Sequence, residues 1–174
     1  MSHRRPIIYT VIGAALAFAL VHGLPAAELQ CFAQGPARIA SLFSGAPMLE
    51  AEHGWVLPLA HQPVLVSTAC SGATFFIITA ALLSWHCARR IRSAPVAIPL
   101  AVGAAFIVTI GINALRIICL IQAHRWLIPL LPDNYSAFAH MLVGVAVFLP
   151  ALIALNALLE FYGYSKASTS ARSV

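Results

Sequence analysis

Four stretches of this chain run for roughly the width of a bilayer with one charged residue, Glu160, among them: Ile7–Leu24, Val64–Cys87, Pro95–Leu115 and His140–Phe161. Crossing the hydrocarbon core takes about 20 apolar residues, with a working range of about 17–25. The runs hold 18, 24, 21 and 22 residues, so each is long enough. None alternates apolar with polar residues, as barrel strands must, so the expected class is an all-α, polytopic membrane helix bundle. Composition agrees. Only 9% of the 174 residues are charged and 61% are hydrophobic, whereas soluble domains carry about 25% charged residues.

The basic residues fix an expected orientation. With four spans and both termini on one side, Arg4, Arg5, Arg89, Arg90, Arg92, Lys166 and Arg172 share the cytoplasmic face. Arg38, Arg116 and Arg125 fall outside with Glu28, Glu50, Glu52 and Asp133. That distribution follows the positive-inside rule. A fifth span over 117–131 would move Lys166 and Arg172 outside and break it. The net charge of +5 therefore belongs to membrane topology, and nucleic acid is not an expected partner. The implied setting is the cytoplasmic (inner) membrane, with lipid around a single domain over residues 1–174.

The connecting segments carry further expectations. Ile7–Leu24 follows basic residues and precedes Ala26–Ala27, so a cleaved signal peptide is its rival reading; both send the next segment out of the cytoplasm. Residues 25–63 hold five prolines (Pro25, Pro36, Pro47, Pro58 and Pro63). This segment is expected to lie along the outer interface with Trp55 as an anchor. Residues 117–131 read either as an extension of the third helix or as a re-entrant segment. Asp133, Asn134 and Ser136 are candidate caps for the last helix. The polar tail, 165–174, is expected to be disordered.

Cys31, Cys70, Cys87 and Cys119 form no CxxC and no metal-type spacing, so no metal or other cofactor is expected. A Cys31–Cys119 disulfide is possible if both face an oxidising side. A lone cysteine in a membrane helix is commonly a small apolar filler, and Cys87 and Cys119 read that way. Cys70 has different neighbours, in "STACSGATFF". A cap at Ser67 or Thr68 would set it in the first turn of a helix, where backbone N–H groups and the helix dipole favour a thiolate.

In the four-span topology Cys70, Arg116 and His140 come from three different spans and meet one membrane depth at the outer face. Asn113 precedes Arg116 by one turn on the same helix face. His140, Gly144 and Phe148 recur at i, i+4 and i+8, a single stripe. Gly144 leaves room beneath the histidine for a neighbouring helix or a substrate. Charged residues within spans are costly and mark functional sites. A thiolate, an imidazole and a guanidinium suit acyl transfer. The thiolate attacks a peptide carbonyl and forms a thioester, and the imidazole moves protons to the leaving amine and from the acceptor. The guanidinium stabilises the oxyanion.

Three pieces, "ACSG" around Cys70, "NALRI" holding Asn113 and Arg116, and "HMLVGVAVF" starting at His140, resemble in order and spacing the exosortase/archaeosortase family of membrane transpeptidases. The resemblance covers roughly residues 64–150, and the short chain is similar to the compact exosortase K branch. It departs from larger members in its few spans and in "CSGATFF" after the cysteine. The resemblance implies a cysteine protease–transpeptidase with Cys70 as nucleophile and Arg116 and His140 as essential partners. Ser71, Gly72, Asn113 and Gly144 hold supporting places. The implied substrates are exported proteins with a C-terminal sorting signal: a short motif, an apolar helix and a basic cluster. Two other functions fit fewer features. A thiol oxidoreductase needs paired outer cysteines, and a small transporter or assembly factor would use Arg116 and His140 to bind an anion.

Overall fold

The computed structural model describes residues 4–23, 26–52, 54–59, 63–67, 71–91, 93–126 and 136–171; at 26–31, 124, 136, 137, 139 and 162–171 it describes the backbone alone. The order of elements is α1 (Arg4–Gly23), α2 (Ala26–Ser44), β1 (Leu49–Ala51), β2 (Gly54–Leu57), β3 (Val64–Ser67), α3 (Ala73–Arg90), α4 (Ala94–Trp126) and α5 (Ser136–Ala171). The chain is mostly helical, and three helices are long and apolar enough to cross a membrane: Arg4–Gly23, Ala94–Ala123 within α4, and His140–Phe161 within α5. The fourth expected span, α3, is shorter, and its last turn carries Arg89 and Arg90.

Helix α1 buries Tyr9, Gly13, Ala17 and Val21, one residue per turn. This narrow stripe lies on α3, with Gly13 close against Ser84 and Ala80. Most of the rest of α1, including Ile8, Val11 and Phe18, is exposed, as suits a lipid-facing surface. The α1–α3–α4 core continues through Phe76, Ala80, Leu83, Ala97, Ala101 and Ala105. Small residues on facing helices let the backbones approach, which is how helices gain packing energy where no water drives them together.

Residues 25–63 differ from expectation. Ala26–Ser44 forms a regular helix despite Pro36 inside it. It ends at Gly45, whose φ of 69° suits a left-handed helix terminus and whose N–H donates to the Ser41 carbonyl. A three-stranded antiparallel sheet follows, pairing Glu50 with Trp55 and Trp55 with Val66. The molecule is therefore not purely α. Trp55 is 6% exposed and packs with Ala33, Ala37 and Ala40 of α2 against Ile117, Leu120 and Ile121 of α4. It is a core residue, not an interfacial anchor. Among the described residues of this layer, the exposed large apolar side chains are Leu42 and Phe43 at the end of α2, Leu49 of β1 and Leu65 of β3.

The run Val64–Cys87 is likewise divided. Val64–Ser67 is a strand that buries Val64 and Val66 and exposes Leu65, a period of two. The helix starts only at Ala73. Ser67 pairs with Gly54 in the sheet, so it does not cap α3. The third span continues beyond Leu115: α4 is an unbroken helix of 33 residues, about 50 Å long. Residues 117–126 are thus the helix extension, and the sheet layer packs on it. Helix α5 runs to Ala171, through most of the tail expected to be disordered. Adding residues to an established helix needs no new nucleus, which favours continuation.

Polar contacts join α3 and α5 at the end of the bundle away from the sheet. Arg89 pairs with Glu160 at 3.4 Å, Arg90 donates to the Leu159 carbonyl, and buried His86 is 3.1 Å from the Asn156 side-chain oxygen.

Candidate functional site

The site is assembled where the start of α3, the last third of α4 and the first turns of α5 converge. Ser71 is buried, and its hydroxyl accepts a hydrogen bond from the Ala73 N–H at 3.4 Å. Gly72 is the N-cap of α3, with φ 70° and ψ 18°, a left-handed conformation that side chains resist. Space reinforces the choice of glycine. A Cβ at Gly72 would stand 3.4 Å from Asn113 Cγ and 3.4 Å from Thr109 Cγ2. The Ser71–Gly72 turn is thus pressed onto the face of α4 that carries Asn113. Asn113 is fully buried.

One turn along α4, Arg116 reaches α5. A Cβ at Gly144 would lie 3.3 Å from Arg116 Nε and 3.8 Å from both Cζ and Nη2. Any larger residue at 144 would occupy the space the guanidinium now uses. Arg116 Cζ also sits 5.4 Å from the centre of the Phe148 ring, within the range of cation–π attraction. Phe148 in turn stacks on Phe75 at 4.7 Å between centroids, with the rings 21° apart. Arg116 Nε is buried without a hydrogen-bond partner among the described residues. The group is held by shape and by an aromatic face, between α4 and α5.

His140 is half-buried on α5, one turn before Gly144. Gly144 and Phe148 both meet Arg116, so the stripe that includes His140 is the side of α5 turned towards α4. Gly72 is thus in contact with Asn113 and Gly144 with Arg116; Asn113 and Arg116 stand one turn apart on α4, and His140 lies on the same stripe as Gly144. Cys70, two positions before Gly72 in sequence, lies outside the described residues, as do Thr68, Asp133 and Asn134. Cys119 carries a free thiol among the described residues; the Cys31 side chain lies outside them, and with it the possible Cys31–Cys119 disulfide. Cys87 is also free.

Two contributors, Thr109 and Phe75, escaped sequence reasoning. Thr109 is buried against Gly72, and its signal was its place one turn before Asn113. Phe75 gave no signal in the sequence, and its stacking on Phe148, itself on the His140 stripe, gives it a place beside the arginine. Comparison with protein-family models, curated proteins and solved structures yields no match to this chain.

Proposed function

We propose that the chain is a membrane-embedded cysteine transpeptidase that cleaves a C-terminal sorting signal from exported proteins at the outer face of the cytoplasmic membrane. The observation that carries this reading is a pair of contacts, Gly72 against Asn113 and Gly144 against Arg116, set one turn apart on α4. It joins the three sequence pieces that resemble the exosortase/archaeosortase family. In this reading the membrane holds four spans, α3 included, and the sheet layer stands outside.

Each group then has a chemical task. Cys70 precedes the N-terminus of α3, whose dipole favours negative charge nearby. Its thiolate attacks the scissile carbonyl carbon, and the carbonyl oxygen becomes an oxyanion stabilised by Arg116. His140 protonates the departing amine, and the C–N bond breaks to leave a thioester. An acceptor amine or water, deprotonated by His140, then attacks the thioester and restores the thiol. Asn113 and Gly72 fix the distance between the turn and the arginine.

The experiment compares the C-termini of exported proteins, by mass spectrometry, in cells carrying the native chain and in cells carrying Cys70→Ala. Loss of C-terminal processing in Cys70→Ala alone, with processing retained when Cys31, Cys87 and Cys119 are together replaced by Ala, supports the reading. Retained processing in Cys70→Ala refutes it. A second reading, an anion-binding transporter or assembly factor, draws on the buried, unpartnered Arg116 Nε. It requires full function in Cys70→Ala.

A further inference from the structure

Arg116 is held in an unusual way for a half-buried cation whose Nε is shut off from solvent. No carboxylate faces it among its described contacts; its neighbours are a glycine on one helix and a phenylalanine ring. That ring is stacked on a second phenylalanine, Phe75, which is 4% exposed and belongs to the first turn of α3. Phe75 lies three residues after Gly72, and Gly72 touches Asn113, one turn from Arg116. The contacts Gly72–Asn113, Arg116–Phe148 and Phe148–Phe75, with a step of three residues along α4 and another from Gly72 into α3, close a ring.

Resting on the transpeptidase reading, we infer that Phe148, supported by Phe75, is the positioning residue for the Arg116 guanidinium. A carboxylate partner would fix an arginine but would neutralise the charge that the oxyanion needs. An aromatic face fixes it while leaving its N–H donors and its charge available, because the ring attracts the cation through its quadrupole and accepts no conventional hydrogen bond. Gly144 admits the guanidinium to the ring, and Phe75 ties the ring to the helix that begins beside the Ser71–Gly72 turn. The same stack couples the placement of the arginine to that of the α3 N-terminus, so the two halves of the site move as one.

The test uses the full-length protein in detergent and Phe148→Leu, which keeps apolar bulk and removes the π face, beside Phe148→Tyr, which keeps both. In protein labelled with ¹⁵N-arginine, the Arg116 Nε–H signal, assigned through its disappearance in Arg116→Lys, is expected to be displaced by the ring current and slow to exchange with water. Phe148→Leu should abolish that displacement and Phe148→Tyr should preserve it. With an exported protein identified by its C-terminal processing as substrate, Phe148→Leu should lower kcat about tenfold, or about 1.4 kcal/mol, with KM little changed and enzyme levels normal. Phe148→Tyr should restore kcat. In the Arg116→Lys background, Phe148→Leu should cost nothing further. An Arg116 signal indifferent to Phe148→Leu overturns the inference, as does native kcat in Phe148→Leu where Arg116→Lys is slow. Native kcat in Arg116→Lys would instead remove the transpeptidase role of the arginine, and the spectroscopic result would still decide the clamp.

Discussion

Arg116 and Gly144 make the most direct pair of tests at the scale of single residues. Lysine keeps the positive charge and the long stem of arginine but lacks its planar fork of donors. Losing one oxyanion donor lowers rates by about 10²–10³. Arg116→Lys should therefore reach the membrane at normal levels and process substrate at least about a hundredfold more slowly, a comparison made by quantitative immunoblot and processing rate. His140→Ala should lose a similar amount. Gly144→Ala separates site geometry from stability. Alanine is better than glycine within a helix by about 1 kcal/mol, yet its Cβ would stand 3.3 Å from Arg116 Nε. The variant should melt no lower than the native protein and still process substrate at least about tenfold more slowly, since small misplacements of a catalytic group have large effects on rate. The spacing of His140, Gly144 and Phe148 made their common stripe legible in the sequence. What stands opposite Gly144 was not legible, because it depends on the relative depth of two helices.

Among the elements, the apolar runs announced α1, α4 and α5, and one strand, β3, was hidden inside the remaining run, Val64–Cys87. Val64–Ser67 abuts the apolar start of α3, so total hydropathy merges the two. The alternation of buried Val64, exposed Leu65 and buried Val66 distinguishes the strand, but three residues of alternation are weak against a 24-residue run. Trp55 illustrates a related ambiguity. A tryptophan near a membrane surface suits the interface, but pairing with Glu50 and Val66 turns it onto the alanines of α2. Among the described glycines, the tightest fit is that of Gly13 of α1 against α3, where a Cβ would lie 2.0 Å from Ser84 Oγ and 2.8 Å from Ser84 Cβ. Gly13→Ala must push the helices apart and should destabilise by about 1–3 kcal/mol, the usual cost of overpacking. Ser84→Gly in the same molecule should recover most of that loss. Thermal unfolding in detergent measures both, and equal stability of Gly13→Ala and the native protein would show that α1 does not pack on α3 in this way.

For the whole molecule, the ends of the bundle differ in character. One carries the sheet layer and the contacts of Arg116; the other carries Arg89, Arg90 and Glu160, with buried His86 a turn further in. The positive-inside rule assigns the second to the cytoplasm. A single reporter cysteine at residue 91, in a chain with its native cysteines replaced, should react only with a membrane-permeant maleimide, whereas one at Phe43 should react with an impermeant reagent applied from outside. The reverse pattern would invert the topology and put the site on the wrong side for exported substrates. The central claim is that Cys70 forms a thioester with a protein that crosses or has crossed the membrane. It is tested most directly by isolating the chain from cells under acidic denaturing conditions and analysing the Cys70 peptide by mass spectrometry, with and without hydroxylamine. The account predicts a hydroxylamine-labile acyl peptide on Cys70, present when Cys31, Cys87 and Cys119 are all replaced and lost in Arg116→Lys. An acyl adduct on another cysteine, or none on Cys70 in cells actively processing exported proteins, would contradict it.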